Sequence, residues 1–219
     1  MKKFFVLKIG AKDALTSFRK KGHLYANTLS YFSKLENDPD RSDSFETKDM
    51  FHDPKGWRIT YPSSKTNSIV TLDDSNIETM ATGTLRYDLL NVYCMYAISL
   101  DDFPVIPPID KRVLGFGGHC VLVLNLATFI DRIKRSCQEH NIACRYGVVK
   151  YFCTKTYRGN RTPFQKPDNF AYQSEYRFVF APSPPKNPFE LFIGDISDIT
   201  TQVSSSADLL NITFAQEEH

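Results

Sequence analysis

Three side chains spaced two residues apart, Gln173, Glu175 and Arg177, carry the most specific chemistry in this sequence. If residues 171–180 form a strand, alternation puts Tyr172, Ser174, Tyr176, Phe178 and Phe180 on one face and Gln173, Glu175, Arg177 and Val179 on the other. One face is then aromatic core. The other aligns an amide, a carboxylate and a guanidinium about 7 Å from one to the next, a spacing suited to gripping a polar ligand lying across a sheet. An ordinary antiparallel strand with its polar side in water has the same alternation, so the neighbouring segments must decide.

Before this strand, Arg145, Lys150, Lys155, Arg158, Arg161 and Lys166 interleave with Tyr146, Tyr151, Phe152, Tyr157, Phe164 and Phe170. Cations for phosphates and rings for bases suit a single-stranded nucleic acid. A solvated loop carrying core aromatics has the same composition. Other groups offer less. The five histidines form no pair at helical metal spacing, and the acidic runs 38–46, 73–74 and 101–102 are explained by turn capping and solvation, so no metal is expected. Gly115-Phe116-Gly117-Gly118 precedes a strand where a phosphate loop needs a helix, and reads as a turn. Cys94 and Cys120 sit in apolar runs with no histidine beside them and read as buried and inert.

The elements that must hold these groups read as an α+β domain. Residues 4–9 form an opening strand, residues 11–21 a short helix with Ala14, Leu15 and Phe18 at helical spacing, and Gly22 its stop. Residues 23–26 are extended, and Thr28 caps a helical stretch carrying Leu29, Phe32 and Leu35. A hairpin is expected from 57–61 and 68–72. The apolar runs 91–100 and 119–124 are central strands, the second leading into a helix with Leu126, Phe129, Ile130 and Ile133 on one side. Residues 145–152 and 172–180 are further strands joined by a long polar loop, and 189–193 and 209–214 are short ones. The fold class is α+β, with mixed, mainly antiparallel sheets and a few flanking helices, and residues 1–219 make one domain.

Composition agrees. Of 219 residues 42% are hydrophobic and 13% aromatic, so disorder and low complexity are excluded. No apolar run reaches the ~18 residues of a membrane span, and the six-residue run after Lys3 is too short for a signal peptide. Five cysteines without a CxxC pair indicate neither a disulfide framework nor a zinc knuckle, and point to a reducing cytoplasm. The net charge of +2 is a cancellation: residues 1–34 carry eight Lys/Arg against Asp13, residues 132–177 ten against Glu139, Asp168 and Glu175, and residues 36–53 seven acids against Arg41 and Lys48.

Gln173-Ser174-Glu175 resembles the signature of the ADP-ribosyltransferases, in which a strand carries a Glu with Gln or Glu two positions earlier, after a loop that meets the acceptor. Residues 164–170 occupy that loop, with Phe170 as its aromatic contact. The N-terminal order of strand, helix, Gly22, Tyr25, Asn27, Ser30 and Tyr31 is similar to the run by which family members hold nicotinamide, although Lys8 stands where the family has His or Arg. The resemblance is to small bacterial and phage-related toxin-like members. It implies a split β core and transfer of ADP-ribose from NAD, with no metal, to a macromolecule. It implies Glu175 stabilising the oxocarbenium and Gln173 orienting the acceptor. Tyr25 or Tyr31 would stack on nicotinamide, Asn27 or Ser30 bond its amide, and Arg177 or Lys8 meet the pyrophosphate. Lys155, Arg158, Arg161, Phe164, Lys166 and Phe170 would contact the acceptor, expected to be RNA or single-stranded DNA. A toxin or phage-defence setting implies an antitoxin or inhibitor protein as a further partner, and no membrane. The rival readings are a non-catalytic single-stranded nucleic-acid-binding module and a protein-interaction component.

Overall fold

A computed structural model describes residues 4–34, 42–83, 87, 89–101 and 107–213. The fold is mixed α+β with mainly antiparallel sheets and a few helices. No helix among the described residues is long and apolar enough to cross a membrane.

The organising element is β7 (Asn91–Ser99), the longest apolar run in strand form. One of its edges is shared. β1 (Phe4–Gly10) pairs antiparallel with its end, from Leu7 opposite Tyr96 to Phe4 opposite Ser99. β2 (His23–Thr28) meets only its beginning, Asn27 opposite Val92 and Thr28 opposite Asn91. The backbone of Tyr93 to Met95 therefore lies between two strands that have parted. β13 (Glu175–Ala181) runs along the other edge, Glu175 opposite Tyr96 through Phe180 opposite Asn91. Outside β1 lies β8 (His119–Val123), and outside β13 lies β9 (Ala143–Val148).

Between β1 and β2 runs α1 (Lys12–Lys21), which buries Leu15 and Phe18 and ends where Gly22 adopts a left-handed conformation. A Cβ there would meet the Gly194 carbonyl oxygen at 2.4 Å, so glycine is required twice over. Thr28 caps α2 (Leu29–Ser33) by accepting from the Tyr31 amide, as expected; Leu35 lies outside the described residues. After β8, α2 is followed in the helical series by α3 (Leu126–Glu139), started by the Asn125 side chain accepting from the Thr128 amide, with Phe129, Ile133, Ser136 and Cys137 inward. Phe18, Tyr93, Phe129, Tyr176, Phe178, Phe180 and Phe189 pack together in the core under α1 and α3. Of the expected aromatic face, Tyr176, Phe178 and Phe180 are buried, the last two with no exposed surface, whereas Tyr172 lies before the strand and is half-buried.

Several boundaries differ from expectation. The strand expected over 172–180 starts only at Glu175, because Asp168–Gln173 is a 3-10 turn and Ser174 is left-handed at φ 39°. The Ser174 carbonyl accepts from the Ala97 amide at 2.7 Å while its hydroxyl donates to the Ala97 carbonyl at 2.6 Å, which swings Gln173 off the ladder. The strand expected over 145–152 breaks at buried Val149, since β9 pairs with β13 whereas β10 (Lys150–Phe152) pairs in parallel with β12 (Gln165–Pro167). The strand expected over 209–214 is instead the 3-10 turn Ser206–Asn211, capped by Ser205, and Phe214 lies outside the described residues. The 57–72 hairpin is present as β4 (Arg58–Ser63) and β5 (Ser68–Asp73), and among the described residues these two strands pair only with each other. The smaller strands β3 (Met50–His52), β6 (Met80–Thr82), β11 (Gly159–Asn160), β14 (Phe189–Phe192) and β15 (Ser204–Ser205) complete the set; β14 pairs with β2.

Candidate active site

A cavity of about 610 Å³ occupies the split between β1 and β2, within the usual ~300–1,000 Å³ of small-molecule sites. Its walls come from Lys8 to Ala11, from Ala14, Leu15 and Phe18 of α1, and from His23, Tyr25 and Asn27 of β2. Tyr31 and Phe32 of α2, residues 92–96 of β7, and Phe116 add to them. Its end wall is charged: Glu46, Lys166, Gln173, Glu175 and Arg177.

Where the strands part, a side chain takes the place of a missing ladder bond. Lys8 Nζ donates to the Cys94 carbonyl at 2.6 Å and lies 4.2 Å from the centre of the Tyr93 ring. Lys8 is therefore turned toward β7, where it closes the split, and is not extended toward a diphosphate.

The end wall is a buried ion network. Arg177 donates to Glu175 Oε2 from Nε at 3.0 Å and from Nη2 at 2.8 Å, and the same Nη2 donates to Glu46 Oε1 at 2.8 Å. Lys166 Nζ donates to Glu175 Oε1 at 2.9 Å and to Gln173 Oε1 at 2.6 Å, and stands 3.6 Å from Glu46 Oε1. Arg161 Nη2 donates to Glu46 Oε2 at 3.0 Å, and its remaining donors reach the Phe45, Lys48 and Gln165 carbonyls. The Tyr151 hydroxyl accepts the Glu175 amide at 2.9 Å. All five charged side chains are nearly solvent-free, Arg177 at 1% exposed and Glu175 at 6%.

These contacts set the ionisation. Burial alone would raise the Glu175 carboxyl, but the Arg177 and Lys166 charges and the hydrogen bonds of Lys166 and the Cys94 thiol override it and hold it well below the usual carboxylate range. Glu46 is likewise held down, by Arg177, Lys166 and Arg161 against its burial. Burial and the Glu175 charge push the Cys94 thiol up to about 12, so it is a neutral donor and not a nucleophile. Asp43 is the exception. Burial and the nearby Glu46 charge raise it to about 6, with one oxygen accepting from the Phe45 amide at 2.8 Å and Oδ2 without a hydrogen bond.

The residues expected to act together are partly united. Lys8, Tyr25, Asn27 and Tyr31 line the same cavity as Gln173, Glu175 and Arg177, although up to 169 positions separate them in sequence. Ser30 sits on α2 but does not line it. Arg177, expected on a pyrophosphate, has its guanidinium enclosed by Glu175, Glu46 and the Pro163 carbonyl. The expected acceptor surface is corrected. Arg161 and Lys166 belong to the buried network, and Phe170 is buried beneath Lys166 with Nζ 4.7 Å from its ring. Phe164 is half-buried against Leu29, Val92 and Val179. Only Lys155, paired with Glu78, and Arg158, bonded to local carbonyls, remain exposed.

Glu46 and Asp43 were not expected in the site, and Cys94 and Tyr151, expected elsewhere as an inert thiol and a base-stacking ring, stand against Glu175. Asp43 and Glu46 were read as part of a solvated acidic loop, yet they are 1% and 2% exposed. Their signal was charge matching: Glu46, from the acidic run, pairs with Arg161, Lys166 and Arg177 of the basic run 132–177. No group of His, Cys, Asp and Glu suited to a metal occurs among the described residues.

Neither a family model, nor a curated protein, nor a solved structure matches this chain.

Proposed function

We propose that the chain is an NAD-consuming ADP-ribosyltransferase that passes ADP-ribose to a macromolecule, most suitably a nucleic acid. The observation that carries this reading is the convergence of Tyr25, Asn27 and Tyr31 with Gln173 and Glu175 on one cavity. Tyr25 and Tyr31 offer rings to nicotinamide, Asn27 offers an amide partner, and Phe18, Val92 and Met95 offer apolar walls that exclude water.

Glu175 supplies a carboxylate whose ionised form is favoured by the Arg177 and Lys166 charges. As the bond from nicotinamide nitrogen to the ribose anomeric carbon breaks, its electron pair leaves with nicotinamide and the ribose gains oxocarbenium character. A carboxylate accepting the ribose 2′-hydroxyl stabilises that charge, an effect worth on the order of 10²–10³ in rate. The acceptor then bonds to the anomeric carbon and gives up its proton to solvent. Oε1 of Glu175 is the oxygen to be used, because its charged partner is the single ammonium of Lys166, whereas Oε2 is held by two nitrogens of Arg177. Displaced from Oε1, Lys166 keeps Gln173 and Glu46 and remains in the cavity as a cation for the diphosphate.

One observation favours a second reading, a binding module without turnover: both Glu175 oxygens are already engaged, and two cations beside the carboxylate weaken its field on a developing cation. Incubation with NAD labelled in its adenosine moiety, together with mixed RNA, DNA and protein, separates the two. Transfer of label with stoichiometric nicotinamide release supports the enzyme, while ligand binding with no release supports the module.

A further inference from the structure

The ribbon formed by β2 and β14 has a buried face of Leu24, Ala26, Phe189 and Leu191 and an outer face of His23, Tyr25, Asn27, Glu190 and Phe192. The outer face leads directly into the cavity, since His23, Tyr25 and Asn27 line it. It also carries rings open to solvent: Tyr25 is 49% exposed and Phe192 52%, and Tyr31, which lines the same cavity as Tyr25, is 43% exposed. His23 and Phe192 stack in parallel, 4.6 Å between ring centres and 6° between planes, so Phe192 is held on its inner side and bare on its outer side. Glu190, the acid on this face, lies 3.4 Å from His23 Nε2.

The helix before this ribbon supplies cations, of which Lys20 stands 3.9 Å from Asp195 and Arg19 donates to the Thr201 and Ser197 carbonyls. α1 ends in Arg19, Lys20 and Lys21 immediately before β2, and Lys12 is exposed near its start. We infer that the outer face of the β2–β14 ribbon is a stacking platform for single-stranded nucleic acid, with Phe192 as its exposed anchor and the lysines of α1 meeting phosphates. Rings that stack on any base, beside cations that follow a backbone, are the recurrent means of holding single strands. The inference rests on the proposed function only in making this strand the acceptor; binding itself needs no NAD.

The experiment measures binding of fluorescently labelled single-stranded RNA and DNA of mixed sequence by anisotropy, using the full chain without NAD. Phe192→Ala should weaken binding about tenfold, Phe192→Tyr should restore it, and Trp57→Ala, on the separate hairpin, should leave it unchanged. Affinity should fall steeply with salt. Equal binding by Phe192→Ala and the parent chain, or no binding at low salt, overturns the platform. Nicotinamide release by a chain that fails to bind the oligonucleotide would also overturn the platform while leaving the enzyme reading intact. Oligonucleotide binding without any nicotinamide release would support the platform and contradict the enzyme.

Discussion

Arg177 Nη2 stands 2.8 Å from Glu46 Oε1 and 2.8 Å from Glu175 Oε2, joining two carboxylates that lie 129 positions apart in sequence. The segment around Glu46 is thereby clamped to β13, and the charge of Arg177 is shared between two anions in a site nearly free of water. Glu46→Gln leaves Arg161 and Arg177 buried with one anion fewer. Breaking a buried pair from one side costs about 3–5 kcal/mol. Urea unfolding followed by circular dichroism should show a loss of that order, far more than breaking the exposed Arg132–Asp198 pair should cause.

Stability should peak in mildly acid solution. The lowered carboxyls of Glu46 and Glu175 contribute stability that is present above their unfolded pKa near 4.5 and lost as pH falls below it. Asp43 acts in the opposite sense: raised from 3.8 to about 6, it favours the folded state as the neutral acid, and that contribution disappears as pH rises through 6. Asp43→Asn keeps an acceptor for the Phe45 amide and cannot ionise. Relative to the parent chain, the variant should gain about 2–3 kcal/mol between pH 4 and pH 7, by urea unfolding at each pH.

Filling the cavity should separate binding from folding. Ala14 lines the cavity yet is exposed on α1, so Ala14→Trp adds a ring at the opening without disturbing the core. Its thermal midpoint should change little, as exposed substitutions are usually within ~0.5 kcal/mol. NAD binding by calorimetry should be lost.

The Trp57 indole should report on the hairpin alone. It is 54% exposed and precedes β4, which among the described residues pairs only with β5. Its emission should be red-shifted and fully quenchable by acrylamide in the native protein. Its change on urea unfolding should be small beside the far-ultraviolet transition.

Strands β1, β7 and β8, both long helices and the buried aromatic residues of β13 were legible because each carries a local pattern that burial reinforces, as in Tyr176, Phe178 and Phe180. What failed was set by tertiary contact. The double hydrogen bond of Ser174 with Ala97 ends the ladder before Gln173, and Val149 separates two strands because their partners differ. In the site, the two-residue spacing picked out Gln173, Glu175 and Arg177, which share the cavity wall, but not Glu46. Glu46 lies in a segment with no period, and only its contact with Arg161, Lys166 and Arg177 distinguishes it from a solvated acid. Arg161 and Lys166 looked like loop cations for the same reason.

Replacing the charge of Glu175 while keeping its shape isolates its chemical role. Glu175→Gln should lower nicotinamide release by about 10²–10³, with NAD affinity reduced far less. The Lys166 ammonium and Arg177 guanidinium each lose a charged partner, so circular dichroism and the urea midpoint must be recorded alongside the rate.

The most direct measurement is a crystal structure of the chain soaked with NAD. The account predicts Glu175 Oε1 within about 3 Å of the 2′-oxygen of the nicotinamide ribose, with Lys166 Nζ moved off that oxygen. A dinucleotide bound outside the split between β1 and β2, or bound within it while both Glu175 oxygens keep their Lys166 and Arg177 partners, would contradict it.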